Sequence, residues 1–352
     1  MMNAKKKGIV PFFFFFFSAD ESANQIDNLN KKMKLIIQIP CYNEAEYLPL
    51  TLKDLPKKIE GIDKIEVLIV DDGSSDNTAE VAQKNGVDHI VRLKTHQGLA
   101  AAFSSGLEAC LLLGADIIVN TDADNQYNGR DIPKLVDPIL SQEADIVVGD
   151  RQTQTIPHFS WTKKKLQKWG SRLVKILSRT KIPDATSGFR AMSREAALKM
   201  NVLSDFSYTL ETLIQAGKLR FAVKSVPIRT NEQQRKSRLF SNMFTFLKQS
   251  GSTILRTYAM HEPLKIFLAL ATLFFIGGLI PGIRFLIFFF FGNPQGHIQS
   301  LILSAILLII SFLLVVIAIL SDLISSNRKL IEETLWRIRR MESKKDDKDN
   351  SD

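Results

Sequence analysis

Asp122 and Asp124 stand two residues apart, just past the apolar run Ile117-Ile118-Val119 and the polar pair Asn120-Thr121. Two carboxylates held close repel each other, and a divalent cation is the natural neutraliser. Hard oxygen ligands select Mg2+ or Mn2+, which in turn grips substrate phosphates. Gln126 adds a neutral oxygen, so Asp122, Asp124 and Gln126 form the candidate metal set. Alone, a D-x-D pair also describes a solvated turn. The surrounding elements weigh on the choice.

The apolar run before the pair predicts a buried strand whose end opens into a polar site. A first strand is predicted at 35–40, with Cys41-Tyr42-Asn43-Glu44 at its end and a helix over 44–58. A second, at 65–70, ends in Asp71-Asp72-Gly73-Ser74-Ser75-Asp76, where Asp72, Ser74 or Ser75 would cap a helix over 77–85. A short strand at 89–92, a helix over 98–113, the central strand, a helix near 132–141 and a strand at 145–149 follow, closed by Asp150-Arg151. Beyond the loop 184–190 come a short strand, a helix over 206–216 bearing Glu211, and a last strand at 221–228. This alternation predicts an α/β, mostly parallel sheet with helices on both faces, whose ligands bind beyond the carboxyl ends of the strands. Residues 42–44, 71–74, 122–126 and 150–151 all lie at such ends. No G-x-G-x-x-G follows the first strand and no G-x-x-x-x-G-K-[ST] occurs. A nucleotide would therefore be held by side chains and a metal rather than by a glycine cradle.

The 352-residue chain exceeds one average domain, and its net charge is +9. Its 2 Cys, Cys41 and Cys110, read as reduced and buried rather than as a disulfide framework, and the 5 His form no zinc-type cluster. Residues 264–283 carry a single charge, Lys265, and residues 298–320 carry none. Each is long enough to span a bilayer, and the short connection makes them a hairpin. Arg256 and Lys265 precede the hairpin; Arg328, Lys329, Arg337, Arg339 and Arg340 follow it. By the positive-inside tendency, both ends and the catalytic domain face the cytoplasm of an integral membrane protein. Residues 157–181 are basic and amphipathic, which suits anionic headgroups as well as a solvated face. The chain divides into an N-terminal extension (1–32, with Met33 as an alternative start), a catalytic domain (33–240), a juxtamembrane linker helix (241–263), two membrane helices (264–324), and a basic amphipathic helix with a charged, disordered tail (325–352).

Five motifs now stand in order: Pro40-x-Tyr42-Asn43-Glu44, Val70-Asp71-Asp72-Gly73-Ser74, Asp122-Ala123-Asp124-x-Gln126, Gly149-Asp150-Arg151 and Ser187-Gly188-Phe189-Arg190. Together they resemble the family 2 glycosyltransferases of the Rossmann-like GT-A fold, and within them the dolichol-phosphate mannose synthase and polyprenyl-phosphate glycosyltransferase branch. The resemblance covers about 34–240 and extends to the membrane hairpin. It implies a nucleotide-sugar donor, UDP- or GDP-linked, and a polyprenyl (dolichyl or undecaprenyl) phosphate acceptor. Pro40, Tyr42, Asn43, Glu44, Val70 and Asp72 would line the base and ribose pocket, with Tyr42 against the base. Asp122, Ala123, Asp124 and Gln126 would surround the metal and diphosphate. A lipid phosphate is already an anion and attacks the anomeric carbon without a base, in one inverting displacement. It needs cations instead, which Arg151, Lys164, Arg235 and Arg238 would supply, so that Asp122, Asp124 and Arg151 form the catalytic set. Residues 229–238 depart from the family's basic segment, which leaves the acceptor less defined than the donor. A transferase to another lipid or polysaccharide, and a non-catalytic membrane scaffold, are the alternatives. Gln167-Lys168-Trp169 is not the Q-x-x-R-W of processive synthases, and both acidic groups are retained. A nucleic-acid partner is not expected, because the basic stretches flank membrane spans. The sugar, the base and any homo-oligomer stay open.

Overall fold

The computed structural model describes residues 32–152, 182–202, 208–231, 251–252, 262–292 and 298–349. The N-terminal extension up to residue 31, the basic stretch 157–181 and most of the 241–263 linker lie outside them.

The described strands are β1 (Lys34–Cys41), β2 (Lys64–Asp71), β3 (His89–Arg92), β4 (Ile117–Asn120), β5 (Ile146–Asp150), β6 (Arg190–Ser193) and β7 (Val223–Pro227). They form one sheet in the order β3-β2-β1-β4-β6-β5-β7. Every pairing is parallel except those of β6, which runs antiparallel between β4 and β5. The expected mostly parallel α/β sheet is therefore present. The strand order reverses at β1, with β2 on one side and β4 on the other, and that switch point is where such sheets open a crevice for ligands.

The helices of this domain are α1 (Leu48–Asp54), α2 (Thr78–Lys84), α3 (Leu99–Leu112), α4 (Ile132–Leu140), α5 (Arg194–Lys199) and α6 (Tyr208–Lys218). Period-two alternation in β1 sends Ile36 to a core shared with α3, α5 and α6, and Leu35, Ile37 and Ile39 to a core shared with α1 and α4. Burial on both faces explains why the strands read as unbroken apolar runs.

Two local expectations change. The helix predicted over 44–58 is only Leu48–Asp54, because Glu44–Tyr47 forms a turn and Pro56 cannot continue a helix. The start of α2 is not capped by Asp72, Ser74 or Ser75. Asp76 Oδ1 instead accepts the Thr78 N–H at 3.1 Å.

Beyond the domain, α7 (Pro263–Phe291) and α8 (Ile298–Asp349) are both long and apolar enough to cross a membrane. They pack through small residues: Ser304 Oγ donates to the Gly278 carbonyl and Ser311 Oγ to that of Ala271, each at 2.8 Å. A Cβ on Gly282 would fall 2.6 Å from Ser304 Oγ. α8 runs as one helix to Asp349, through the residues expected to form the basic helix and into those expected to form the charged, disordered tail. Its Trp336 packs on the core formed by α3, α5 and α6, and Arg339 Nη1 donates to Met200 O (3.2 Å) and Asn201 Oδ1 (3.0 Å) at the end of α5. A carbonyl-rich helix terminus is a natural seat for a guanidinium.

Candidate nucleotide and metal site

The mouth of β4 is fixed by a chain of buried amides and hydroxyls. Gln38 Nε2 donates to Asn120 Oδ1 (3.0 Å), and Asn120 Nδ2 donates to the Gly188 carbonyl (2.9 Å) and to Tyr208 Oη (3.0 Å). The Gly188 N–H in turn donates to Tyr127 Oη at 3.0 Å. These bonds draw the loop before β6 against the Asp122 carboxylate. A Cβ at Gly188 would fall 2.8 Å from Tyr208 Oη and 3.0 Å from Asp122 Oδ1, so only glycine fits without displacement.

Burial, and then the charge of Asp124, push the Asp122 carboxyl up to about 7, while Arg151 pulls the other way. Asp124 Oδ1 accepts the Gln126 N–H at 3.1 Å across Asn125, which adopts a φ of 55°. Asn231, after β7, closes the loop by donating its N–H to Gln126 O (2.9 Å) and its Nδ2 to Asn125 O (3.0 Å). Among the described residues, no group of three or more His, Cys, Asp or Glu converges to hold an ion. Two carboxylates and an amide oxygen suit an ion that completes its shell from phosphate and water, as Mg2+ does. The raised carboxyl of Asp122 is the strain such a cation would relieve, so the residues fit the group.

The other end of the crevice lies at β1 and β2. The Asn43 N–H donates to Ser74 Oγ and the Glu44 N–H to Thr78 Oγ1, both at 2.9 Å, which ties the two strand ends together. Asp72, buried at the end of β2, accepts the Gln97 and Gly98 N–H groups, one on each oxygen, at 2.8 Å. His96 Nδ1 lies 2.8 Å from Asp72 Oδ2, and the His96 ring stacks on Tyr42 with centroids 3.8 Å apart. Gly73, at φ +66°, lets the loop 93–98 press down here, since a Cβ would meet the Thr95 carbonyl carbon at 2.6 Å.

Tyr42, Asp72, Asp122, Asp124, Gln126 and Arg151 thus gather along the carboxyl ends of β1, β2, β4 and β5. Val70 is fully buried against α3, and Pro40 and Ala123 are buried as well. Arg151 is already engaged: Nε and Nη2 donate to Asp184 Oδ2 (2.7 Å) and Oδ1 (3.0 Å), and Nη2 also to Thr186 Oγ1 (2.9 Å). Its fork therefore faces a buried carboxylate, and Nη1 is the edge outside that bond. Arg190, buried, spends its donors on Ser187 O, Ala185 O, Thr209 O and Thr212 Oγ1, stapling the loop to α6. Lys164, Arg235 and Arg238 lie outside the described residues. Sequence reasoning missed His96, Tyr127, Tyr208 and Asp184, since each acts through a partner distant in the chain.

The family model described as "Glycosyl transferase family 2" matches residues 36–200. An uncharacterized protein of Methanocaldococcus jannaschii is 33% identical over 216 residues, covering 59% of this chain and 85% of that protein. The undecaprenyl-phosphate mannosyltransferase of Micrococcus luteus is 28% identical over 57% of this chain and 85% of its own length. The UDP-N-acetylglucosamine–dolichyl-phosphate N-acetylglucosaminyltransferase of Methanococcus voltae is 30% identical over 54% of this chain and 83% of its own. Among solved structures, glucosyl-3-phosphoglycerate synthase from Mycobacterium tuberculosis, with Mn2+, UDP-glucose and phosphoglyceric acid, shares the fold at a TM-score of 0.50 and 18% identity, covering 64% of this chain and 79% of that one.

Proposed function

This chain belongs to glycosyl transferase family 2, and from that premise we propose that it transfers one sugar from a UDP- or GDP-linked donor to polyprenyl phosphate at the cytoplasmic face of a membrane, with inversion. The observation that carries the reading is the Asp122–Asp124 pair at the switch point of the sheet, in a chain that also holds two membrane-length helices. Relatives named for sugar transfer to undecaprenyl and dolichyl phosphate support the acceptor class.

The donor's base and ribose lie at the ends of β1 and β2, beside Tyr42 and Asp72. Its diphosphate lies toward Asp122, Asp124 and Gln126. Mg2+ or Mn2+ held by these three would neutralise the charge that builds on the departing nucleoside diphosphate. A phosphate oxygen of the lipid attacks the anomeric carbon as the bond to the diphosphate breaks, the leaving group keeps the electron pair, and no proton has to be removed. Arg151, anchored on Asp184, presents a fixed positive charge near the reacting groups, and Lys164, Arg235 and Arg238 are the further cations assigned to the acceptor phosphate. The cytoplasmic orientation rests on the basic residues that flank the hairpin.

A panel of radiolabelled nucleotide-sugars, incubated with membranes containing the protein, polyprenyl phosphate and Mg2+ or Mn2+, tests the reading. Label should enter the lipid extract with one donor, and should not enter it when the metal is chelated beforehand. Label in no lipid with any donor would overturn it; label in a polysaccharide or another lipid would select the alternative acceptor.

A further inference from the structure

We propose that His96 is a resident occupant of the base slot, a stand-in for the donor's nucleobase that the donor must displace, and that it thereby selects which bases enter. The inference rests on the donor-site reading above. A flat nitrogen heterocycle lies on Tyr42, with centroids 3.8 Å apart and planes 21° apart. The edge of that ring puts Nδ1 2.8 Å from the buried Asp72 carboxylate. A nucleobase stacked on the same face of Tyr42 would make the same two contacts: a ring on the tyrosine, and a ring N–H to the carboxylate.

The backbone around His96 cannot retreat to make room. Gln97 and Gly98 are each bonded to Asp72, and the Thr95–His96 peptide presses on Gly73, where an added Cβ would meet His96 N at 2.7 Å. The imidazole side chain can leave, because it is half exposed and turns about its own torsions. Entry of the donor is therefore a ring-for-ring exchange on a fixed loop.

The exchange sets the specificity. Removing the His96 ring takes one partner from a buried carboxylate that keeps the Gln97 and Gly98 N–H groups, and losing a hydrogen bond to a buried charge is costly. A base that returns an N–H to Asp72 restores the bond. Uracil and guanine carry such a ring N–H beside a carbonyl. Cytosine and adenine present only an unprotonated ring nitrogen there, and would set a lone pair against the carboxylate.

The test is direct titration of the full-length protein in detergent with UDP, GDP, CDP and ADP, by calorimetry, for the wild type and His96→Ala. The wild type should bind UDP or GDP and discriminate against CDP and ADP. In His96→Ala the favoured diphosphate should bind more tightly, by about tenfold if the slot stands open roughly a tenth of the time. Unchanged or weaker binding in the variant would overturn the proposal, because it would make His96 a bystander or a second face of the stack. Histidine-selective NMR supplies a second readout in the unsubstituted protein. The His96 ring signal, shifted by Tyr42, should move to the position of a free imidazole when the favoured diphosphate is added; a signal that stays put overturns the exchange. Should none of the four diphosphates bind the wild type at all, the donor-site reading would fall and the exchange with it, a result distinct from binding that His96→Ala leaves unimproved.

Discussion

Gly188→Ala tests the packing of the site most sharply. The added methyl would stand 2.8 Å from Tyr208 Oη, 3.0 Å from Asp122 Oδ1 and 3.3 Å from Asp122 Oδ2. Tyr208 cannot swing away, since it is buried and stacked on Phe103 at 4.0 Å. Either the Asp122 carboxylate shifts by a few tenths of an ångström, or the loop lifts and stretches the Asn120 Nδ2 bond to the Gly188 carbonyl. Overpacking of this kind costs about 1–3 kcal/mol, or roughly 2–4 °C in Tm per kcal/mol for a domain of this size. Because misplacement by about 1 Å costs on the order of a hundredfold in rate, a shift of a few tenths should cost roughly threefold to tenfold. The assay is transfer of radiolabelled sugar to lipid, read beside a thermal melt and the Mn2+ concentration for half-maximal rate. Gly86→Ala is the control: φ is +73° there but nothing lies within 4 Å of the added carbon, so stability should fall while the rate and metal requirement hold. A Gly188→Ala enzyme with the wild-type rate and metal requirement would refute the reasoning.

Three further outcomes follow from the same geometry. Arg151→Ala should lower stability by about 3–5 kcal/mol, because it strands the buried Asp184 carboxylate, and adding Asp184→Asn should recover much of the stability but not the transfer rate; chemical denaturation of both variants, with equal losses in each, would reject the pairing. Asp124→Ala should abolish transfer while leaving the melt close to that of the wild type, and a wild-type rate in that variant would remove the metal role. Asp131 is pushed up by burial, but its bonds to Arg229 and Lys134 hold it down at about 2. A folded-state pKa below the ordinary carboxylate range contributes stability that is complete above about 4 and is lost as the pH falls toward 2. Melts of Asp131→Asn should therefore show a shallower loss across that window than the wild type, and parallel curves would contradict the assignment.

The frame of the catalytic domain was legible because its strands are buried on both faces and end in clusters of short polar residues. That pattern alone puts the 122–126, 71–74 and 42–44 loops on one rim of the sheet. What stayed hidden was mostly long-range pairing. Nothing near Arg151 announces that Asp184 will take its fork, and nothing near His96 announces that Tyr42 and Asp72 will hold its ring. The antiparallel insertion of β6 was equally silent, since a four-residue strand carries no sign of direction. Asn120 sat in plain view beside Asp122, but its role needs Gly188 and Tyr208, which arrive from elsewhere in the chain. At the other end, the charges from Arg328 onward mark where α8 stops needing an apolar face all round and begins to use Trp336 and Arg339 against the domain.

The central claim is that Asp122 and Asp124 hold a divalent cation that receives the donor's diphosphate. A crystal of the protein grown with Mn2+ and the nucleoside diphosphate, with data collected at the manganese edge, addresses it directly. The expected result is one anomalous peak within bonding distance of carboxylate oxygens of this pair and of the diphosphate. A diphosphate seated elsewhere, or bound beside these acids with no manganese signal, would contradict the account.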